Sequence, residues 1–208
     1  MSIRNFKKEI IKKDRFEFGK NWKNFLKKLN NERISIAEKS LLTMLTKEQL
    51  KEKTFLDIGS GSGLSSLAAK NLKAKVTSFD YDDSSVACTK ELKNKYYPND
   101  KYWSILQGSI LDKKFLKSLG KFNIVYSWGV LHHTGNMFEA INNSLNLIEN
   151  NGVFFIAIYN DQGIKSKIWW YVKYTYNRLP FLLKKPFAFT LGFFLQFILI
   201  MIYLIKLK

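Results

Sequence analysis

From Thr54 to Tyr159 the chain alternates five times between short apolar runs and helical patterns, and this alternation constrains its fold most. The strand-like runs are TFLDIG (54–59), KVTSFDY (75–81), YWSILQGS (102–109), FNIVYSWG (122–129) and GVFFIAIY (152–159). Between them lie helical stretches at 64–72, 84–97, 113–120 and 136–148. Short buried strands separated by helices long enough to cross over predict a parallel, doubly wound α/β sheet. Ser84 and Asp83 are the candidate caps of the second of these helices, and Gly120 the stop of the third.

The flanks differ from this core. Residues 5–31 and 32–53 read as two helices, the first with Phe18, Trp22, Phe25, Leu26 and Leu29 on one stripe. Beyond Tyr159, residues 162–178 are helical and rich in aromatics, Leu179-Pro180 ends that helix, and Lys184, Lys185 and Pro186 mark a further boundary. Residues 187–205 then run without a charge. The expected organisation is a helical cap (1–53), a core (54–160) and an aromatic, hydrophobic helical extension (161–208).

Charge separates these segments. The chain has 34 Lys+Arg against 17 Asp+Glu, a net charge of +17. The core is nearly neutral at +2, whereas the cap and the extension carry +8 and +7. Thirty of the basic residues are lysine, and the scarcity of arginine, the better reader of bases and phosphates, argues against nucleic acid. Clustered lysines also gain from an anionic membrane surface. One cysteine, Cys88, excludes a disulfide framework and a cysteine-rich zinc site, and it fits a buried apolar role in a reducing, cytoplasmic setting. The N-terminus has no apolar run of the secretory type.

The chemistry concentrates at FLDIGSGSG (55–63), where a strand ends at Asp57 and a glycine loop leads into a helix. Gly59, Gly61 and Gly63 allow a sharp turn and let a ligand approach backbone. The G-x-G-x-G spacing is neither the dinucleotide fingerprint nor a lysine-bearing phosphate loop, and Asp57 at its mouth suits a ligand bearing an amine. The second strand ends in Asp80, about 20 positions on, where a carboxylate accepts from ribose hydroxyls. Tyr81 beside it can face an adenine. Asp82 and Asp83 read as a solvated turn and helix cap.

FLDIGSGSG, SFDYD, QGSILD and FNIVYSWGVLHH, in this order, resemble the successive motifs of class I S-adenosylmethionine-dependent methyltransferases over residues 54–160. FGKNWKNFL (18–26) and the stretch from Tyr159 to Pro180 are similar to a bacterial small-molecule subgroup near the ubiquinone-biosynthesis O-methyltransferases. The resemblance implies a Rossmann-like fold with S-adenosyl-L-methionine as cofactor. It places Asp57, Gly59, Ser60, Gly61 and Gly63 around the methionine part and Asp80 on the ribose. Gly108, Ser109 and Ile110 would meet adenine, and Ser127, Trp128 and Gly129 would line the methyl side. Such domains close with two further strands, and no strand-turn-strand pattern follows here, so the terminal hairpin is expected to be missing.

Several alternatives stay open. The main expectation is methyl transfer to a small-molecule or lipid-like acceptor. Against it stand a cofactor-holding, catalytically degenerate, membrane-associated protein and a nucleic-acid methyltransferase. His132 is either a general base or substrate contact, or a packing residue, and the adjacent His132 and His133 lack the partners of a metal site. Trp22 and Phe18 either form a lid over the cofactor or join the core. The 187–205 stretch either meets a membrane or lies buried against strand five.

Overall fold

The computed structural model describes residues 19–206. It divides into two units, one ending at Tyr159 and one beginning at Asn160.

The first unit is built on a five-stranded sheet in the order β3-β2-β1-β4-β5, with every pairing parallel. The strands are β1 (Thr54–Ile58), β2 (Lys75–Asp80), β3 (Trp103–Gln107), β4 (Phe122–Trp128) and β5 (Ile148–Ala157). The order reverses between β1 and β4, so the chain winds in both directions from β1. The crevice at the carboxyl ends of the strands there is where doubly wound folds bind ligands. Among the described residues the sheet ends at β5, with no strand beyond it. The expected parallel α/β sheet is therefore the observed one.

The helices of this unit are α1 (Gly19–Leu26), α2 (Asn31–Leu42), α3 (Lys47–Leu50), α4 (Leu64–Asn71), α5 (Asp83–Tyr96), α6 (Lys113–Lys117) and α7 (Met137–Leu145). Alternating side chains send each strand's apolar residues to both faces. Phe55, Val76, Trp103, Ile124 and Tyr126 meet Ile34, Leu41 and Leu67 from α2 and α4 in one core. Leu56, Ile58, Phe79 and Val125 meet Leu116 and Ala140 from α6 and α7 in the other. Cys88 is buried, as its sequence setting suggests.

Several of these features depart from the sequence expectation. The helix read over 32–53 is two helices, because Thr46 opens α3 with a capping box: its side chain accepts from Gln49 N–H, and Gln49 returns a bond to Thr46 N–H. The cap of α5 is Asp82, not Ser84 or Asp83. Asp82 is buried rather than solvated, because its carboxylate takes Ser84 N–H on one oxygen and Gly19 N–H on the other, both at 2.9 Å.

The second unit holds α8 (Ile164–Arg178) and α9 (Phe181–Lys206). Leu179, in extended conformation before Pro180, ends α8 as expected. The boundary expected at Pro186 is absent, because α9 runs through that proline. Pro186 lies near the helix start and costs a single backbone bond there. None of residues 181–205 is buried.

Candidate functional site

β1 delivers Asp57 to the carboxyl edge of the sheet and the chain then turns through Gly59, Gly61 and Gly63 into α4. All three glycines have positive φ, at 74°, 55° and 81°. A side chain at Gly59 would strike Val130 at 2.4 Å, and one at Gly61 would reach the Trp22 indole at 2.9 Å. The loop is tied to the end of β2, because Gly59 and Ser60 N–H both donate to the Phe79 carbonyl at 2.9 and 3.1 Å. Ser60 and Thr89 share a hydroxyl contact at 2.9 Å, which fixes the loop to α5.

Asp80 closes the unit. One carboxylate oxygen accepts from Gly61 N–H at 2.9 Å and the other from Asp82 N–H at 3.0 Å. A carboxylate oxygen has two acceptor sites, so each keeps capacity for a ligand hydroxyl. Burial pushes the Asp80 carboxyl up to about 6, against the opposing pull of its bonds from Gly61 and Asp82. Asp57 is almost wholly buried, and burial pushes its carboxyl up to about 7, opposed mainly by its bond from Ser66. A cationic or hydroxyl-donating ligand would favour the ionised form of both acids.

A buried relay stands behind Asp57 that sequence reading did not find. Trp103 Nε1–H donates to Ser78 Oγ at 2.9 Å, Ser78 and Ser66 share a hydroxyl contact at 2.7 Å, and Ser66 Oγ donates to Asp57 at 2.5 Å. Every member is buried. The signal available in the sequence was Ser66 itself, a polar residue directly before Leu67, Ala68 and Ala69, all buried in α4.

The remaining expected residues fall around the same edge. Gly108 N–H donates to the Asp80 carbonyl at 3.0 Å, so the turn after β3 lies beside the acid. Ser109 is buried there and its Oγ accepts from Leu111 N–H at 3.2 Å. The Ile110 side chain enters the second core. Tyr81 is half-buried next to Asp80. Ser127 is buried with its hydroxyl donating to the Ile58 carbonyl at 3.2 Å, so that group supports β1. Trp128 is half exposed, stacked in parallel with Tyr126 and Phe155, and Gly129 turns the chain with a φ of 71°.

His132 lies in a short 3-10 turn, Leu131–His133, just past β4. Its ring packs at a tilt against His133, with centroids 4.0 Å apart, and against Tyr159, at 4.3 Å. Among the described residues neither ring nitrogen has a hydrogen-bond partner, and burial lowers its pKa, which favours the neutral imidazole. Trp22 of α1 is half-buried with its indole against Gly61, so the helix covers the glycine loop. Phe18, the other expected lid residue, lies outside the described residues. Among the described residues no group of three metal-ligating side chains converges.

A doubly wound parallel sheet with a glycine loop after β1 and an acid at the tip of β2 defines a nucleotide-type cofactor-binding fold. Residues 56–154 match the family described as a methyltransferase domain. The chain is 29% identical over 108 residues to a ubiquinone biosynthesis O-methyltransferase of Glaesserella parasuis, covering 52% of this chain and 46% of that protein. A protein of the same name from Pelagibacter ubique is 29% identical over 121 residues, covering 57% and 47%. The chain thus spans about half the length of these curated relatives. The fold resembles a candidate S-adenosyl-L-methionine-dependent methyltransferase from Methanococcus maripaludis, with a TM-score of 0.55, 18% identity and coverage of 67% and 62%.

Proposed function

We propose that the chain is an S-adenosylmethionine-dependent methyltransferase of the cytoplasm that moves a methyl group to a small-molecule or lipid-like acceptor. One observation carries this reading: Gly61 N–H and the Asp80 carboxylate meet at 2.9 Å, joining the glycine loop and a ribose-type acid in one unit. The residues fit the cofactor. Asp57 offers a buried carboxylate to its amine, Gly59, Gly61 and Gly63 turn the loop at positive φ beside it, and Asp80 keeps acceptor capacity for ribose hydroxyls. Gly108 and Ser109, with Tyr81, would hold the adenine, and Ser127, Trp128 and Gly129 would border the methionine side.

When bound, the cofactor supplies an electrophilic methyl on a sulfonium and leaves as a neutral thioether. The protein's task is then alignment and exclusion of water, with a base where the acceptor carries a proton. His132 is the base in this reading, since burial favours its neutral imidazole and neither nitrogen has a partner among the described residues. The names of the two curated relatives support an oxygen nucleophile on a small molecule. Contact with a membrane through 187–205 would suit a lipid-like acceptor.

The test is methyl-labelled cofactor incubated with the protein and a panel of phenols, amines and lipid extract. Label should pass to an extractable product, and His132→Ala should lower turnover about 10²–10⁴-fold with cofactor binding intact. Near wild-type turnover in that variant would return His132 to a packing role, and no transfer to any acceptor would favour a degenerate domain.

A further inference from the structure

The unit beyond Asn160 presents an apolar surface that one partner fits, the interior of an anionic phospholipid bilayer. We propose that α9 crosses such a bilayer and that α8 lies along its surface, anchoring the methyltransferase domain to a membrane. This deepens the reading above by naming a partner.

Length and exposure come first. Residues 181–205 form a helix long and apolar enough to cross, and no part of it is buried. A core helix would be mostly buried. Phe197, Ile198, Leu199 and Ile200 are all exposed, and four consecutive residues of a helix with 3.6 residues per turn point to all sides of its axis. A contiguous apolar surface of this kind is far larger than a soluble monomer exposes. The uncharged run 187–205 has 19 residues, which at 1.5 Å each reach about 28 Å, close to the ~30 Å hydrocarbon core. Lys184 and Lys185 precede it and Lys206 follows it, at the two depths where charged heads reach water.

The backbone meets the same demand. A continuous helix satisfies its own polar groups, as a bilayer interior requires. The bond that Pro186 removes falls beside Lys184 and Lys185, at headgroup depth rather than inside. The Thr190 hydroxyl donates to the Pro186 carbonyl at 2.9 Å, so that side chain enters the run already paired. Gln196 remains as a lone amide near the midpoint, set against 18 other uncharged positions.

The composition of α8 specifies the surface. It has no buried residue, and Trp169, Trp170, Tyr171 and Tyr174 alternate with Lys165, Lys167 and Lys173. Aromatic rings with polar edges and long basic side chains are what a headgroup layer favours. Arg178 lies 3.5 Å from the Tyr174 ring and Lys184 lies 5.3 Å from the Tyr176 ring, so aromatic and basic groups share one level where the two helices meet. Residues 161–208 carry eight basic and one acidic side chain, and the bilayer surface they would meet is therefore anionic.

The experiment uses the full chain, purified in mild detergent and reconstituted into phosphatidylcholine vesicles with or without roughly one-third phosphatidylglycerol. Flotation is read before and after washing with molar salt and with alkaline carbonate. The chain should float through both washes, and Phe197→Lys with Ile200→Lys should cut the carbonate-resistant fraction at least about tenfold. Lys165→Gln, Lys167→Gln and Lys173→Gln together should weaken the preference for phosphatidylglycerol several-fold while carbonate resistance persists. Four results would overturn the proposal: a monodisperse chain without detergent, a self-assembled chain that sediments without lipid, a chain stripped by either wash, or an unchanged lipid preference in the glutamine variant. Cofactor binding is measured on the same preparation. Flotation without binding would strike the proposed activity and leave the anchor standing.

Discussion

Replacing Asp57 with asparagine should stabilise the domain at pH 8 while abolishing its use. The Asp57 carboxyl moves from 3.8 to about 7 on folding because burial disfavours the anion. The folded state therefore keeps a proton that the unfolded chain releases between pH 4 and 7. Stability falls across that window by about 1.4 kcal/mol per pH unit, reaching about 4 kcal/mol above pH 7. Asparagine has nearly the same shape and can still accept the bond from Ser66 Oγ, but it carries no charge. An amide hydrogen left without an acceptor costs about 1–2 kcal/mol. The net gain at pH 8 is then about 2 kcal/mol, or roughly 4–8 °C in Tm for a domain of this size. At pH 4 the advantage should vanish, because folded wild-type Asp57 is protonated and pH 4 lies so close to the unfolded value of 3.8 that little of the penalty remains. The assay is thermal unfolding of both proteins from pH 4 to 8 without cofactor. A variant less stable than wild type at pH 8 would refute the reasoning, since it would mean that the native fold stabilises the anion.

Cofactor affinity should rise as pH increases from 5 to 8, because a cationic amine and ribose hydroxyls favour ionised Asp57 and Asp80, whose values lie near 7 and 6. Titrations in buffers of different ionisation enthalpy should show proton release on binding near pH 6, and affinity that is flat with pH would remove both acids from the site. Gly61→Ala places a Cβ at a φ of 55° and 2.9 Å from the Trp22 indole, so it should cost about 1–2 kcal/mol. Combining it with Trp22→Ala relieves the clash, and a double-mutant cycle should show coupling above about 0.5 kcal/mol. Strict additivity would mean that α1 does not cover the loop.

The glycine loop and Asp80 were legible because their signal is local: a strand, a turn and an acid at fixed spacing. The parallel, doubly wound sheet likewise follows from alternation and crossover length. The Trp103–Ser78–Ser66 relay was not, since it joins three elements through contacts that no spacing encodes. The break before α3 was written in Thr46 and Gln49, but the apolar stripe around it reads as one continuous helix. Asp82, Asp83 and Ser84 are all competent caps, and the choice fell to Asp82 because its second oxygen also receives Gly19 N–H, 63 residues away. Pro186 reads as a stop, yet at the sixth position of the helix it removes a single backbone bond, and the apolar run carries α9 through it.

The central claim is that Gly59–Gly63 and Asp80 together form an S-adenosylmethionine site. Calorimetric titration of one preparation with S-adenosylmethionine, S-adenosylhomocysteine, NAD and ATP tests it most directly. The account predicts micromolar-range binding of the first two and none of NAD or ATP, with Asp80→Ala weakening binding by about 1.5–3 kcal/mol, the scale of a hydrogen bond to a charged group. Equal or tighter binding of NAD or ATP, or an unchanged affinity in Asp80→Ala, would contradict it.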